Sequence, residues 1–289
     1  MQRPTTEVIS QTTYTFGRVP KKTISPLTTA GECERLVLTP ALSNEVTDDV
    51  GSSKALLESH KALILVPSYT RAEQWSPVAT PPPKDKVSER IRAFRLAEAT
   101  LRDKLLLAAR YDGVDLPGDT CRVMVIDDLP MGSGPLERFQ WEYLNLSDKL
   151  RSTVASRIVQ SFGRISRGMS DHGVVLITGQ ALIGWLHLPA NLGLLPGFLQ
   201  SQIRLGHEVS GNLTSTEEFG DVIDKCLTRD NAWTTAYNDW MQDAAPDSCK
   251  EHSQEAVDVA LGEARFIEAM WDRDFERAAK SIKRGAKAG

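Results

Sequence analysis

The chain predicts an α/β fold: a parallel sheet with helices on both faces, followed by a C-terminal all-helical region. Three observations carry that expectation. Between roughly residues 33 and 190, short aliphatic runs alternate with amphipathic stretches, the rhythm of consecutive β-α-β units. Each aliphatic run is strand-sized and stops at a polar or Gly/Pro turn, as strands buried on both faces do. After Pro189 such runs cease and only helix-periodic apolar residues remain.

Strands are expected over 35–38, 62–66, 105–108, 123–126 and 174–177, with helices between them over 54–60, 86–101, 136–143 and 148–167 and a short helical turn at 70–75. The stretch 76–84 holds Pro77 and the triplet Pro81, Pro82 and Pro83, so it reads as a stiff extended connector on the surface. Further helices are expected over 198–209, 219–227, 233–241 and 257–279. The resulting division is an irregular lead-in over 1–34, an α/β domain over 35–190 and a helical tail over 191–289. The last helix ends in Lys280, Lys283, Arg284 and Lys287, a cationic end that suits the helix dipole in solvent and that could also favour a phosphate backbone.

Composition narrows the function classes. With 34 Lys+Arg against 38 Asp+Glu the formal charge is −4, so nucleic acid would be gripped through a local basic groove and not by the global field. Residues that are 41% hydrophobic and 25% charged are enough for a globular core. The longest apolar runs are strand-sized, which excludes a membrane-spanning helix, and residues 1–10 lack the apolar block of a secretory signal. A cytoplasmic setting is the expectation. Cys33, Cys121, Cys226 and Cys249 are far apart, with no C-x-x-C pair and no histidine at finger spacing, so they read as buried free thiols and no metal site is expected. No G-x-S-x-G pattern supports acyl transfer.

The stretch richest in chemistry follows the helix expected over 148–167. At about 100° per residue, Gln160, Arg164 and Arg167 fall within about 60° of one another, while Leu150, Val154, Ile158, Phe162 and Ile165 gather on another face. Two guanidiniums on one side repel unless an anion or a carboxylate such as Asp148 or Asp171 faces them, and a polyphosphate is the natural anion. A second constellation, Tyr111-Asp112-Gly113-Val114-Asp115-Leu116-Pro117-Gly118, follows a strand, where the loops of open parallel sheets meet ligands. The run Val123 to Asp128 looks like a strand ending in the acid that holds a nucleotide's magnesium. No G-x-x-x-x-G-K-[S/T] loop exists in the chain, so Asp127 and Asp128 read as a strand end.

Over roughly residues 14–190 the chain resembles the C-terminal RecA-like motor domain of superfamily-2 DNA helicases of the XPD and DinG type. Leu63 to Tyr69, with its Pro67-Ser68-Tyr69 end, is similar to the family's motif IV. Asp112-Gly113-Val114-Asp115, followed by Pro117-Gly118, a strand and Leu129-Pro130, resembles motif V. Gln160-x-x-Gly163-Arg164-x-x-Arg167, with Asp171-x-Gly173 behind it, resembles motif VI. Asp112 stands where the family has Glu, Ser166 where it has an aliphatic residue, and Thr178-Gly179 where an acid often follows the last strand.

The resemblance implies a RecA-like fold that completes an ATP site together with a first RecA-like domain on another chain, which supplies the Walker loop. It implies that Arg164 and Arg167 reach the γ-phosphate of ATP bound with Mg2+ and that Gln160 couples this contact to domain closure. By the same likeness Gly113 and Asp115 line the cleft, Ser68 and Tyr69 face the phosphates of single-stranded or forked DNA, and Trp75 offers a stacking surface. The expected activity is that of half an ATP-dependent helicase, inactive as a nucleoside-triphosphate hydrolase when alone. The competing expectation is a catalytically silent RecA-like module that binds nucleic acid or a partner protein.

Overall fold

The structure, a computed structural model, describes residues 33–98, 102–110, 118–131, 147–165, 171–243 and 254–285, with single positions or short pieces at 13, 15–19, 114, 116 and 139. Five parallel strands form one sheet: β1 (Glu34–Leu38), β2 (Ala62–Val66), β3 (Lys104–Ala108), β4 (Val123–Asp127) and β5 (His172–Thr178), in the order β1-β5-β4-β2-β3. Every strand lies where an aliphatic run was expected. The reason is burial on both faces: in β2, β4 and β5 every residue is buried, so alternation gives way to continuous Val, Ile and Leu.

The two faces have separate cores. On one, Leu63, Leu65, Leu105, Leu107, Met124, Ile126, Val175 and Ile177 meet α3 (Val87–Leu96) through Val87 and Phe94, and α4 (Ser147–Phe162) through Val154, Ile158 and Phe162. The same core takes Leu182 and Leu186 of α5 (Gln180–His187), which precedes the short α6 (Pro189–Leu192). On the other face, Ile64, Val66, Leu106, Val125 and Leu176 meet Leu56 and Leu57 of α1 (Asp49–Leu57), together with Ala72 and Trp75 from the short α2 (Tyr69–Ala72) and the 3-10 turn Glu73–Trp75.

The chain divides into two compact units, Ala30–Pro246 and the pair Met1–Thr29 with Asp247–Gly289. The break expected near residue 190 is therefore not where the chain parts. The apolar stripes of the following helices need the sheet: α7 (Gly197–Asn212) buries Leu199 and Ile203 in the first core, and α8 (Thr216–Thr228) buries Phe219, Ile223 and Cys226 in the second. Full burial of side chains such as Phe219 and Ile223 contributes about 1.5–3 kcal/mol each.

α7 also closes the β1 margin of the sheet. Ser210 Oγ accepts from Thr39 N (2.9 Å), Gln202 Nε2 donates to Cys33 O (2.8 Å), and Gly206 lies so close to the Val37 carbonyl that no Cβ fits there. α9 (Asn231–Asp243) follows, with Tyr237 Oη accepting from Gln202 Nε2 (2.7 Å). In the other unit α10 (Gln254–Trp271) packs on α11 (Phe275–Gly285). The single helix expected over 257–279 is broken there, because Arg273 turns left-handed (φ 57°) and Asp274 Oδ1 accepts from Arg277 N (3.0 Å) to start a new helix. Of the cationic residues there, Arg277 pairs with Asp272 (3.4 Å) and Lys280 with Glu276 (2.7 Å).

Three cysteines, Cys33, Cys121 and Cys226, are buried free thiols; Cys249 lies outside the described residues. Burial pushes the Cys121 and Cys226 thiols up to about 12, so neither is a nucleophile at neutral pH. The helix expected over 136–143 also lies outside the described residues.

Candidate functional site

After β2 the chain moves outward to β3, and after β4 it moves the opposite way to β5, so the carboxyl ends of β2 and β4 flank the point where the strand order reverses. Open parallel sheets take ligands at such a point, because the two loops part and leave a crevice. Here the crevice is a cavity of about 370 Å³ lined by Pro67, Ser68, Thr70, Arg71, Gln74 and Asp128. Ser68 shapes its rim. It is the N-cap of α2, its Oγ accepting from Arg71 N (3.0 Å).

Beneath the crevice sits Asp127, the last residue of β4 and fully buried. Arg71 grips it with both arms, Nε to Oδ2 (3.0 Å) and the terminal nitrogen to Oδ1 (2.8 Å). Trp75 Nε1 donates to Oδ2 (2.7 Å), Thr178 Oγ1 donates to Oδ1 (2.9 Å) and the Gln74 amide adds a further donor. The hydrogen bonds to Asp127 raise the Arg71 pKa above its ordinary value, and the guanidinium is permanently charged. A carboxylate with so many donors has no lone pair to offer magnesium. The reading of Asp127 and Asp128 as a strand end fits: Asp128 turns left-handed (φ 69°) and its N donates to Thr178 O (2.8 Å). Gly179 packs against the Asp128 backbone so closely that a Cβ on it would stand 2.8 Å from Asp128 Cα, and its N donates to Asp49 Oδ2 (2.9 Å).

The second part of the site joins two of the sequence motifs toward the amino end of β5, where Ile165 packs against Gly173. Arg164 donates from its guanidinium to Val114 O (2.8 Å), and Leu116 N donates to Arg164 O (2.8 Å), so the loop after β3 and the turn after α4 are tied twice. Val114 and Leu116 are buried, and Arg164 is half-buried. α4 ends at Phe162, short of the expected 167, because Gly163 ends the helical run and Arg164 N closes a tight turn on Ser161 O (3.0 Å). The shared helical face expected for Gln160 and Arg164 is thus interrupted. Gln160 is exposed on the last turn of α4, while Leu150, Val154, Ile158, Phe162 and Ile165 are all buried.

Among the other expected site residues, Tyr69 is 44% exposed beside the crevice and Ser68 is half-buried at its rim. Trp75 is corrected: its exposure is 0% and its indole N–H is committed to Asp127, so it is a core residue with no face for a base to stack on. Gly113, Asp115 and Arg167 lie outside the described residues. Arg71, Gln74 and Asp128 were missed as lining residues. The available signal for Arg71 was its position three residues after Ser68, where a capped first turn returns a side chain to the carboxyl edge.

Residues 52–182 match a family model described as the helicase C-terminal domain. The chain matches no curated protein. The parallel sheet with helices on both faces is the RecA-like α/β fold that this match implies. Residues 52–182 of this chain are therefore similar to the C-terminal domain of helicases of the XPD and DinG type.

Proposed function

We propose that this segment is the second motor domain of an ATP-dependent DNA helicase, and that Arg164 and Arg167 are its arginine fingers toward ATP held by a first RecA-like domain. The observation that carries the reading is the double tie between Arg164 and the Val114–Leu116 loop. It fixes one cation against the loop resembling motif V, so that movement of the nucleotide contact and movement of that loop are one event. An arginine supplied across a domain boundary stabilises charge on transferring phosphoryl oxygens, a contribution of about 10³ to 10⁵ in rate.

The residues present suit the phosphate side of such a site and not the metal side. ATP brings the transferable phosphoryl group and Mg2+ its counter-charge; the saturated Asp127 leaves the metal's ligands to the first domain, in keeping with the absence of a G-x-x-x-x-G-K-[S/T] loop from the sequence. Gln160, Gly113 and Asp115 belong to the same reading as cleft residues. Ser68 and Tyr69 would meet the phosphates of the DNA strand at the rim of the crevice.

The test is a reconstitution. The full chain combined with a first RecA-like domain of this helicase type and single-stranded DNA should hydrolyse ATP, and Arg164→Ala should lower the rate about 10³-fold with little change in DNA affinity. Hydrolysis by the chain alone at the rate of the reconstituted pair, or an unaltered rate in the variant, would overturn the assignment.

A further inference from the structure

A second cavity lies away from this site. About 760 Å³ in volume, it opens at the amino end of β3, between the end of α1 and the strap that follows Trp75, and is lined by Lys54, Glu58, Pro77 to Thr80, Arg90 and Arg102 to Lys104. Because all five strands are parallel, this is the opposite end of the sheet from Ser68 and Asp127. That volume falls within the range of about 300–1,000 Å³ usual for small-molecule sites.

Its charges do not cancel. Arg90 binds Asp103 with both arms (2.9 and 2.6 Å) and so removes one cation and one carboxylate together. Glu58 is left against Lys54, Arg102 and Lys104, and among the described residues no carboxylate forms an ion pair with any of these three cations. Lys104 is half-buried, and Arg102 is held in the left-handed region (φ 50°), an unusual backbone for a long side chain. Burial and then Arg102 lower the Lys104 pKa, and burial, Lys104 and Arg102 lower that of His60 behind it, against the pull of Asp224. A positive field therefore fills the groove. Pro77, Val78 and Ala79 give the lining an apolar stretch, with Thr80 beside them.

We propose that this groove binds a nucleoside phosphate, its oxyanions among Lys54, Arg102 and Lys104 and its ring on the Pro77–Ala79 wall, either as a free nucleotide or as one unit of a strand. Cations clustered without counter-charge are costly until an anion joins them, and phosphate is the anion whose several oxygens serve three donors at once. The backbone holds this wall in place: Val78 N and Ala79 N both donate to Trp75 O (2.8 and 2.9 Å), so the wall keeps its position whether or not ligand is present. The inference is independent of the motor reading, whose residues Ser68, Tyr69, Gln160 and Arg164 do not line this groove.

Calorimetric titration of the full chain at low salt with adenosine 5′-monophosphate, adenosine, inorganic phosphate and an oligothymidylate strand tests it. The monophosphate or the strand should bind and adenosine should not; the monophosphate binding identifies a free nucleotide, and the strand alone binding identifies a chain unit. Replacing Lys54, Arg102 and Lys104 together by Gln should weaken binding by at least about tenfold, and with the strand should reduce the salt slope by about 0.7 per cation removed. Glu58→Gln, which deletes the one opposing charge, should tighten binding about two- to threefold, a gain that misfolding cannot imitate. Adenosine binding as well as its phosphate, no binding by either phosphate-bearing probe, or a Glu58→Gln chain with unchanged affinity would each overturn the proposal.

Discussion

The two ends of the sheet use their charged side chains in opposite ways. At the carboxyl end, Arg71 and Asp127 neutralise each other and recruit Gln74, Trp75 and Thr178, so the charge serves architecture. At the amino end of β3, Lys54, Arg102 and Lys104 line a groove in which, among the described residues, Glu58 is the carboxylate not already taken. A buried charge that is satisfied inside the chain is evidence about the fold, and a set of cations left unmatched is evidence about a ligand. Position near the crevice is thus a poor guide to role: the most conspicuous acid there, Asp127, is a strut.

That contrast can be broken or sharpened by substitution. The largest effect is expected for Asp127→Ala, which leaves Arg71 and the Trp75 indole N–H without their acceptor and should cost about 3–5 kcal/mol in urea unfolding. A loss below about 1 kcal/mol would mean that water or another group replaces the carboxylate and that the strut is dispensable.

A smaller effect is expected from acid. His207 stacks on His187 (centroids 4.9 Å apart), its Nε2 is buried with no hydrogen-bond partner among the described residues, and burial followed by His187 lowers its pKa to about 4. His172 is lowered too, by burial and then Arg122. Because the folded values lie below the ordinary 6.5, the unfolded chain takes up protons first. Their contribution is intact above about pH 6.5 and is lost as pH falls toward 4. His207→Phe should flatten this limb of the stability–pH curve relative to the wild type. Parallel curves would show that the imidazole is not the group that matters.

The smallest effect is expected at the other end of the sheet. Lys104→Gln removes a cation disfavoured by burial and by Arg102, so stability should stay within about 0.5 kcal/mol or rise slightly. A clear loss of stability would make the groove cations structural and would erase the contrast with Asp127.

Much of the fold was legible because a parallel strand buried on both faces writes itself as an unbroken aliphatic run, and all five did so. The helices after Pro189 were legible as helices but not as part of the sheet's unit, since an apolar stripe does not name the surface that covers it. Trp75 was misread for a related reason. Its neighbour Tyr69 is exposed, yet Ala72 and Trp75, three residues apart, turn inward on one face of a tight helical turn. The partners of Asp127 come from α2, the turn after it and β5, and no local pattern announces contacts across more than fifty residues. The motif residues were legible through family likeness, whereas the unpaired groove cations, spread over 54–104, form no motif at all.

α7 carries a consequence for anyone dividing this molecule. Its Gln202 and Ser210 serve backbone groups that would otherwise lie bare along the outer margin of β1, and Gly206 lets it lie directly on that strand. A piece that keeps β1 but ends at residue 182, where the family match stops, discards this guard and leaves an open strand margin of the kind that recruits other chains into aggregates. Experiments on an isolated motor half should therefore keep the polypeptide through at least residue 243, where the last helix of the larger unit ends.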